Sequence, residues 1–283
     1  MDRSLNIRPP AVAGQFYPAD PDRLARAVDR MLAPFPARPD DDVRALLAPH
    51  AGHRYSGALA AESFAAVRGR AFDAVVLIGP SHREAFDFTS VYDGDGLATP
   101  LGVLPVDRGR ADSLTTADGA IRRSSRGHAP ARGGGEHAIE VLLPFLQRVL
   151  GNVPVIPVIM GAQDPVACAI LADALAPLCG PKTLLVISSD LSHFHRYDDA
   201  VTLDSVFCER FATGDADELQ RALASGRCEA CGGGPAVSVL RALTLTGGMR
   251  ATILRRINSG DVTGHHDSVV GYAAGLIRAR EAA

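Results

Sequence analysis

The chain has 283 residues, 47% hydrophobic and 22% charged, enough apolar sequence to bury one large core without disulfides. A net charge of -3, with lysine and arginine scattered rather than clustered, gives no electrostatic footprint for nucleic acid or an anionic membrane, so neither is expected as a partner. The opening MDRSLNIRPPAVAGQFYP lacks the apolar stretch of a signal peptide, no run approaches a membrane span, and five cysteines do not read as a disulfide framework, so a cytoplasmic location is expected.

In chain order, 21–32 predicts an amphipathic helix with Asp20 at the N-cap, Pro21 at the first helical position, and Leu24, Val28, Met31 and Leu32 on one face. Apolar runs rich in Val, Ile and Leu, bounded by Gly, Pro or Asp, predict buried strands at 45–48, 74–78, 153–159 and 183–187. Helical patterns at 58–67, 136–150 and 165–178 alternate with them. Pro144 inside the second pattern costs about 3 kcal/mol in a straight helix, so a kink is expected there. Residues 111–135 read as a long loop with at most one short helix, and 251–277 as two more strands around a polar loop. The expected fold is α/β: one domain over 1–283, with a mostly parallel or mixed sheet flanked by helices.

Three of the strand-like runs end in metal-ligand residue types. ALLAPHAGH puts His50 just after the first run, VVLIGPSH puts His82 after the second, and LLVISSDLSH puts Asp190 and His193 after the last. Ligands of open α/β sheets bind beyond the carboxyl ends of the strands, where residues distant in sequence meet on rigid supports. A single histidine at such a place is ordinarily a hydrogen-bonded structural residue, but three junctions that each deliver one point to a metal pocket. Asp190 reads equally well as the N-cap of a following turn.

In EHAIE, Glu136, His137 and Glu140 open the helical pattern at 136–150, with His137 and Glu140 one turn apart on one face and able to act as a base or to support the pocket. Glu136 reads as a solvated first-turn residue that complements the helix dipole. Cys231, in EACGGGPAV, precedes a predicted helix whose N-terminus, or a metal, would lower its thiol pKa. With Cys228 it forms a CxxC pair, but no second pair completes a structural zinc site. His53, His128, His195, His265 and His266 are placed in loops or supporting positions. HExxH, GxGxxG, P-loop and GxSxG motifs are absent, which removes zincin, nucleotide and serine-hydrolase readings.

RPPAVAGQFYP, LLAPHAGHRYSG, LIGPSH, EHAIEVLLPFLQ, VISSDLSHF and ACGGGP, in this order over nearly the whole chain, resemble the MEMO family, also called AmmeMemoRadiSam system protein B. The resemblance implies a fold similar to the class III extradiol ring-opening dioxygenases, which use non-haem Fe(II). It implies a metal triad of His50, His82 and Cys231, with His137, Asp190 and His193 lining the same pocket as acid–base groups. Cys231 stands where the dioxygenases use a carboxylate; thiolate is softer and moves preference toward copper or zinc. Two departures from many members are Arg83, in place of a second histidine after GPSH, and His53, in place of an aromatic residue after PHAG.

The expectation is a metal-dependent, dioxygenase-like oxidoreductase holding one divalent ion, Fe(II) first and Cu or Zn as alternatives. The other reading is a non-catalytic module that binds a small molecule or peptide in the same pocket. The resemblance also implies functional association with a radical-SAM enzyme and an AMMECR-type protein.

Overall fold

The computed structural model describes residues 4–37, 39–128 and 135–280. After β1 (Ile7–Arg8), helix α1 (Pro21–Leu32) has the predicted bounds. Asp20 Oδ1 accepts from Arg23 N at 2.8 Å, and Pro21 occupies the first turn, where a missing N–H is no loss. Leu24, Val28 and Leu32 are fully buried, each contributing roughly 1.5–3 kcal/mol of apolar transfer. Strand β2 (Val43–Ala48) leads to α2 (His53–Ala65), which starts upstream of the predicted position 58. Its first turns bury small and polar residues, His53, Ser56 and Gly57, so no apolar stripe marks where the helix begins.

Strand β3 (Ala74–Pro80) is followed by β4 (Thr89–Tyr92), β5 (Gly96–Thr99), β6 (Gly102–Pro105), α3 (Arg108–Ser113) and β7 (Ile121–Ser124). The expected loop at 111–135 therefore holds the end of a helix and an edge strand, while 129–134 lie outside the described residues. The sequence IRRS hides β7 because only Ile121 is buried. At 136–150 the expected kinked helix is replaced by a 3-10 turn, Glu140–Leu142, and a separate α4 (Leu143–Leu150). Pro144 falls in the first turn of α4, where its missing N–H and fixed φ favour a start rather than a kink.

The second half runs β8 (Val155–Met160), α5 (Pro165–Leu175), β9 (Thr183–Ser188), β10 (His193–His195), α6 (Tyr197–Thr213), α7 (Ala216–Ala224) and α8 (Gly233–Leu245). It ends with β11 (Met249–Asn258), α9 (Ser259–Thr263) and β12 (Val269–Ala279), the two expected C-terminal strands joined through a polar turn.

The main sheet has the order β10-β12-β2-β9-β3-β8-β4-β7, with β11 also paired to β12. Its centre, β2-β9-β3-β8, is parallel, and antiparallel pairing begins on either side at β12 and β4. The fold is thus α/β with a mixed sheet whose parallel centre is covered on both faces. Period-two alternation divides two cores: Ala45 and Leu47, Val76 and Ile78, and Leu185 and Ile187 face α5, α6, α7 and α8. Leu46 and Ala48, Val75 and Leu77, and Leu184 and Val186 face α1, α2 and α4. Strands that must be apolar on both faces read as unbroken runs, which is why these four are visible in the sequence. Among the described residues no helix is long and apolar enough to cross a membrane.

Candidate metal centre

Strands β2, β9 and β3 are consecutive and parallel, so the loops after them leave the same edge of the sheet side by side. Those loops carry His50, Asp190 and His82. Cys231 arrives from the loop ahead of α8. A Cβ at Gly232 would lie 2.3 Å from the Ser188 carbonyl oxygen, so only glycine lets this loop press against the end of β9 and bring Cys231 in. One ligand atom from each of His50, His82 and Cys231 lies within 4.8 Å of the others. Cys231 Sγ is 3.2 Å from His50 Nε2.

Hydrogen bonds fix the ring nitrogens that face this point. Ser188 Oγ donates to the Ala138 carbonyl, so it accepts from His50 Nδ1–H at 2.7 Å and leaves the Nε2 lone pair toward Cys231. Glu136 Oε1 accepts from His82 Nδ1–H at 2.9 Å, freeing His82 Nε2 in the same way. The carboxylate of Glu136 also takes the backbone N–H of His82 at 2.5 Å, of His137 at 2.8 Å and of Ala138 at 2.9 Å. Burial opposes its ionisation, but the hydrogen bonds and charge of His82 outweigh burial and hold the carboxyl down to about 2. Glu136 is therefore no solvated first-turn residue: it is buried and orients His82.

His137 stacks on His82 with ring centroids 4.8 Å apart and meets Phe16 at 4.7 Å. Burial, with the neighbouring His82 adding, lowers its pKa to about 4, and its Nδ1 has no hydrogen-bond partner among the described residues. His137 is thus uncharged at neutral pH, with Nδ1 unengaged by any such bond. His193 donates Nδ1–H to the Leu191 carbonyl at 2.8 Å, and burial lowers its pKa too. It lines, with Cys231, Gln163 and Glu229, a cavity of about 630 Å³.

Asp190 is not an N-cap, because a strand follows it. Its Oδ1 accepts from His50 N at 2.8 Å and Ala51 N at 3.3 Å, tying the β9 loop to the β2 loop. Burial pushes its carboxyl up to about 7 against those bonds. Burial likewise raises the Cys231 thiol, with the Asp190 charge adding, so its place ahead of α8 does not by itself give a thiolate. Cys228 is buried in the core, all five cysteines are free thiols, and no metal-compatible group among the described residues includes Cys228.

The profile of a family described as Memo-like protein matches residues 8–276. The chain belongs to the Memo family. MEMO1 family proteins resemble it throughout: that of Methanosarcina mazei is 34% identical over 277 residues, covering 96% of this chain and 100% of the relative. Those of Thermoplasma volcanium and Sulfolobus acidocaldarius are each 33% identical, covering 95% and 94% of this chain and 97% of each relative.

In this Memo-family chain the sequence reading missed the role of Glu140. Residues 136–139 are not helical, so Glu140 does not share a face with His137; it turns to the N-terminal segment. There it accepts from Arg8 Nη1 at 2.7 Å, Ala11 N at 2.8 Å, Val12 N at 2.9 Å and the Tyr17 hydroxyl at 2.7 Å, fully buried. Arg8 also donates to the carbonyls of His128 and Glu136. The strap formed by 8–17 thereby holds the loop that carries Glu136 and His137. Arg8 opens RPPAVAGQFYP, but an exposed arginine reads the same way in a sequence. His53 and His128 are structural, buried and bonded to the carbonyls of Val141 and Ser90.

Proposed function

We propose that this Memo-family protein is a metal-dependent oxidoreductase acting on a small molecule, with one ion held by His50 Nε2, His82 Nε2 and Cys231 Sγ. The carrying observation is the convergence of three ligand atoms from three separate chain segments, with both imidazole tautomers set by Ser188 and Glu136. The donor set fits a transition metal: ligand atoms within 4.8 Å of one another need only small shifts to reach bonds of about 2.0–2.3 Å to a common ion. Fe(II) is the first candidate on the resemblance to extradiol dioxygenases, and the thiolate makes copper and zinc the alternatives. A bound iron or copper ion would supply dioxygen and one-electron chemistry.

The protein's own residues supply the rest. The thiol proton shared between Cys231 Sγ and His50 Nε2 is the one released when metal binds, which makes affinity rise with pH. Ser188 and Glu136 keep the two imidazoles in their ligand orientation. Neutral His137 and His193 are the acid–base groups available to a substrate entering beside Cys231.

The test is metal content and stoichiometry of anaerobically purified protein for wild type, His50→Ala, His82→Ala and Cys231→Ser, with dioxygen uptake on catechol-type substrates as the second readout. Near one equivalent of Fe(II) or Cu(I) in wild type, lost in all three variants, is expected. Absence of stoichiometric binding after loading with either ion overturns the reading in favour of a non-catalytic binding pocket. Metal binding without dioxygen uptake on any such substrate leaves a metal site but refutes the oxidoreductase.

A further inference from the structure

On the outer side of Phe16, away from the histidine cluster, a groove of about 1180 Å³ runs between α1, the N-terminal strap and the start of α2. Arg23, Ala27 and Arg30 line it at spacings of four and three residues, one face of α1, and Pro34 follows just past the helix end. Its apolar surface comes from Phe16, Met31 and Phe35, side chains packed against the core on one side and left partly open on the other.

The charges around this groove are one-sided. Arg23, Arg30 and Arg54 are exposed, and among the described residues none of their side chains has a hydrogen-bond or ion-pair partner. The fourth arginine, Arg255, is neutralised by Glu62 at 2.7 Å. The carboxylate on the rim, Asp20, is engaged in capping α1. Of the acidic residues within α1, Asp29 pairs with Arg148 at 2.8 Å and Asp22, in the first turn, does not line the groove. Among the described residues, three arginines without an ion-pair partner thus gather over one apolar trough whose lining holds a single carboxylate, the capping Asp20, in a chain whose net charge is -3.

We propose that this groove docks an acidic amphipathic helix of a partner protein. Its apolar face would cover Phe16, Met31 and Phe35, and two of its carboxylates, two turns apart, would meet Arg23 and Arg30. Seven residues of α1 separate those arginines, about 10.5 Å along the axis, and a helix laid alongside presents its own residues at that same interval. A simple polyanion would satisfy the arginines but leave the apolar floor wet, and a purely apolar ligand would bury the guanidinium groups without partners. The inference stands apart from the metal reading and is measured equally well on metal-free protein.

The test uses the full chain and two fluorescein-labelled synthetic helices of 16 residues with the same leucine face. One carries glutamate at two positions seven residues apart, the other lysine at those positions. Anisotropy titration should show saturable, salt-sensitive binding of the glutamate peptide only. Arg23→Glu with Arg30→Glu should weaken it about tenfold or more and create binding of the lysine peptide, an exchange that a misfolded variant cannot give. Equal binding of both peptides, no saturable binding of the glutamate peptide, or binding untouched by the double substitution overturns the proposal. Arginine-dependent binding of phosphatidylserine vesicles or of a single-stranded oligonucleotide in place of the peptide, or arginine-dependent dimerisation of the protein alone in sedimentation velocity, overturns it equally.

Discussion

Glu136→Gln isolates the contribution of a single buried carboxylate to the proposed metal centre. The two oxygens of Glu136 receive four N–H groups: Oε1 those of the His82 ring, His137 and Ala138, and Oε2 that of the His82 backbone. Glutamine has the same shape but one accepting oxygen. If that oxygen keeps the Oε1 position, the amide nitrogen faces His82 N across 2.5 Å, donor against donor. If the amide turns over, the nitrogen faces the His82 ring, and relief comes by moving the imidazole proton from Nδ1 to Nε2, the atom meant for the metal. In the first case the His82 backbone N–H loses its partner, and in the second those of His137 and Ala138 do, at a cost of about 1–3 kcal/mol each.

Loss of such a carboxylate–histidine contact typically weakens metal affinity about 10- to 100-fold, or roughly 1.4–2.7 kcal/mol. Anaerobic competition titration of Fe(II) against a chromophoric chelator, repeated with Zn(II), measures it, and long-range proton–nitrogen NMR correlation reports which nitrogen of His82 carries the proton. A folded Glu136→Gln protein with wild-type affinity and His82 still protonated at Nδ1 would refute the reasoning.

Three further outcomes are expected. Glu140→Gln leaves Arg8 buried without its counter-charge, so urea unfolding should show a loss of about 3–5 kcal/mol; a loss below about 1 kcal/mol would mean the strap is held by other contacts. Gly232→Ala forces the loop off the Ser188 carbonyl and should weaken metal binding about as far as Cys231→Ser does, and wild-type affinity in the same chelator titration would contradict the close-approach argument.

Stability of the metal-free protein should fall between about pH 6.5 and 4. Burial holds His53 down to about 4 and His128 down to about 3, and depresses His50 and His137 as well, so the unfolded chain takes up these protons first. His53 and His128 each carry on the order of 3–5 kcal/mol at full extent. Asp190, pushed up to about 7 by burial, and Asp204, which burial also raises, work the other way, since the folded state gains their protons first, but they are two groups against five, His193 included. A urea midpoint that is flat or rising on acidification through this window would refute the assignment of these histidines as buried and neutral.

Much of the frame was legible because burial on both faces forces strands to read as unbroken apolar runs and because caps write themselves at helix ends. Asp20 and Pro21 fixed the start of α1 to the residue, and the runs ending near 48, 78 and 187 gave the strands from which His50, His82 and Asp190 emerge. Elements with one wet face or a small-residue interior stayed hidden: β7 inside IRRS, the first turns of α2, and α6 and α7, whose polar faces break the pattern.

His50, His82 and Asp190 could be placed at one edge from the chain alone, since strand ends in a parallel sheet meet there whatever lies between them, whereas Cys231 joined them only through the family resemblance. The supporting contacts could not. That Glu136 is buried against His82, that Glu140 turns away to Arg8, and that Gly232 admits Cys231 to His50 all depend on contacts between residues separated by 43 to 181 positions. Local spacing in EHAIE favours a helix with two acids on its surface. Tertiary packing overrides it, because two buried clusters of unpaired N–H groups, at His82 and at the N-terminal strap, each need a carboxylate.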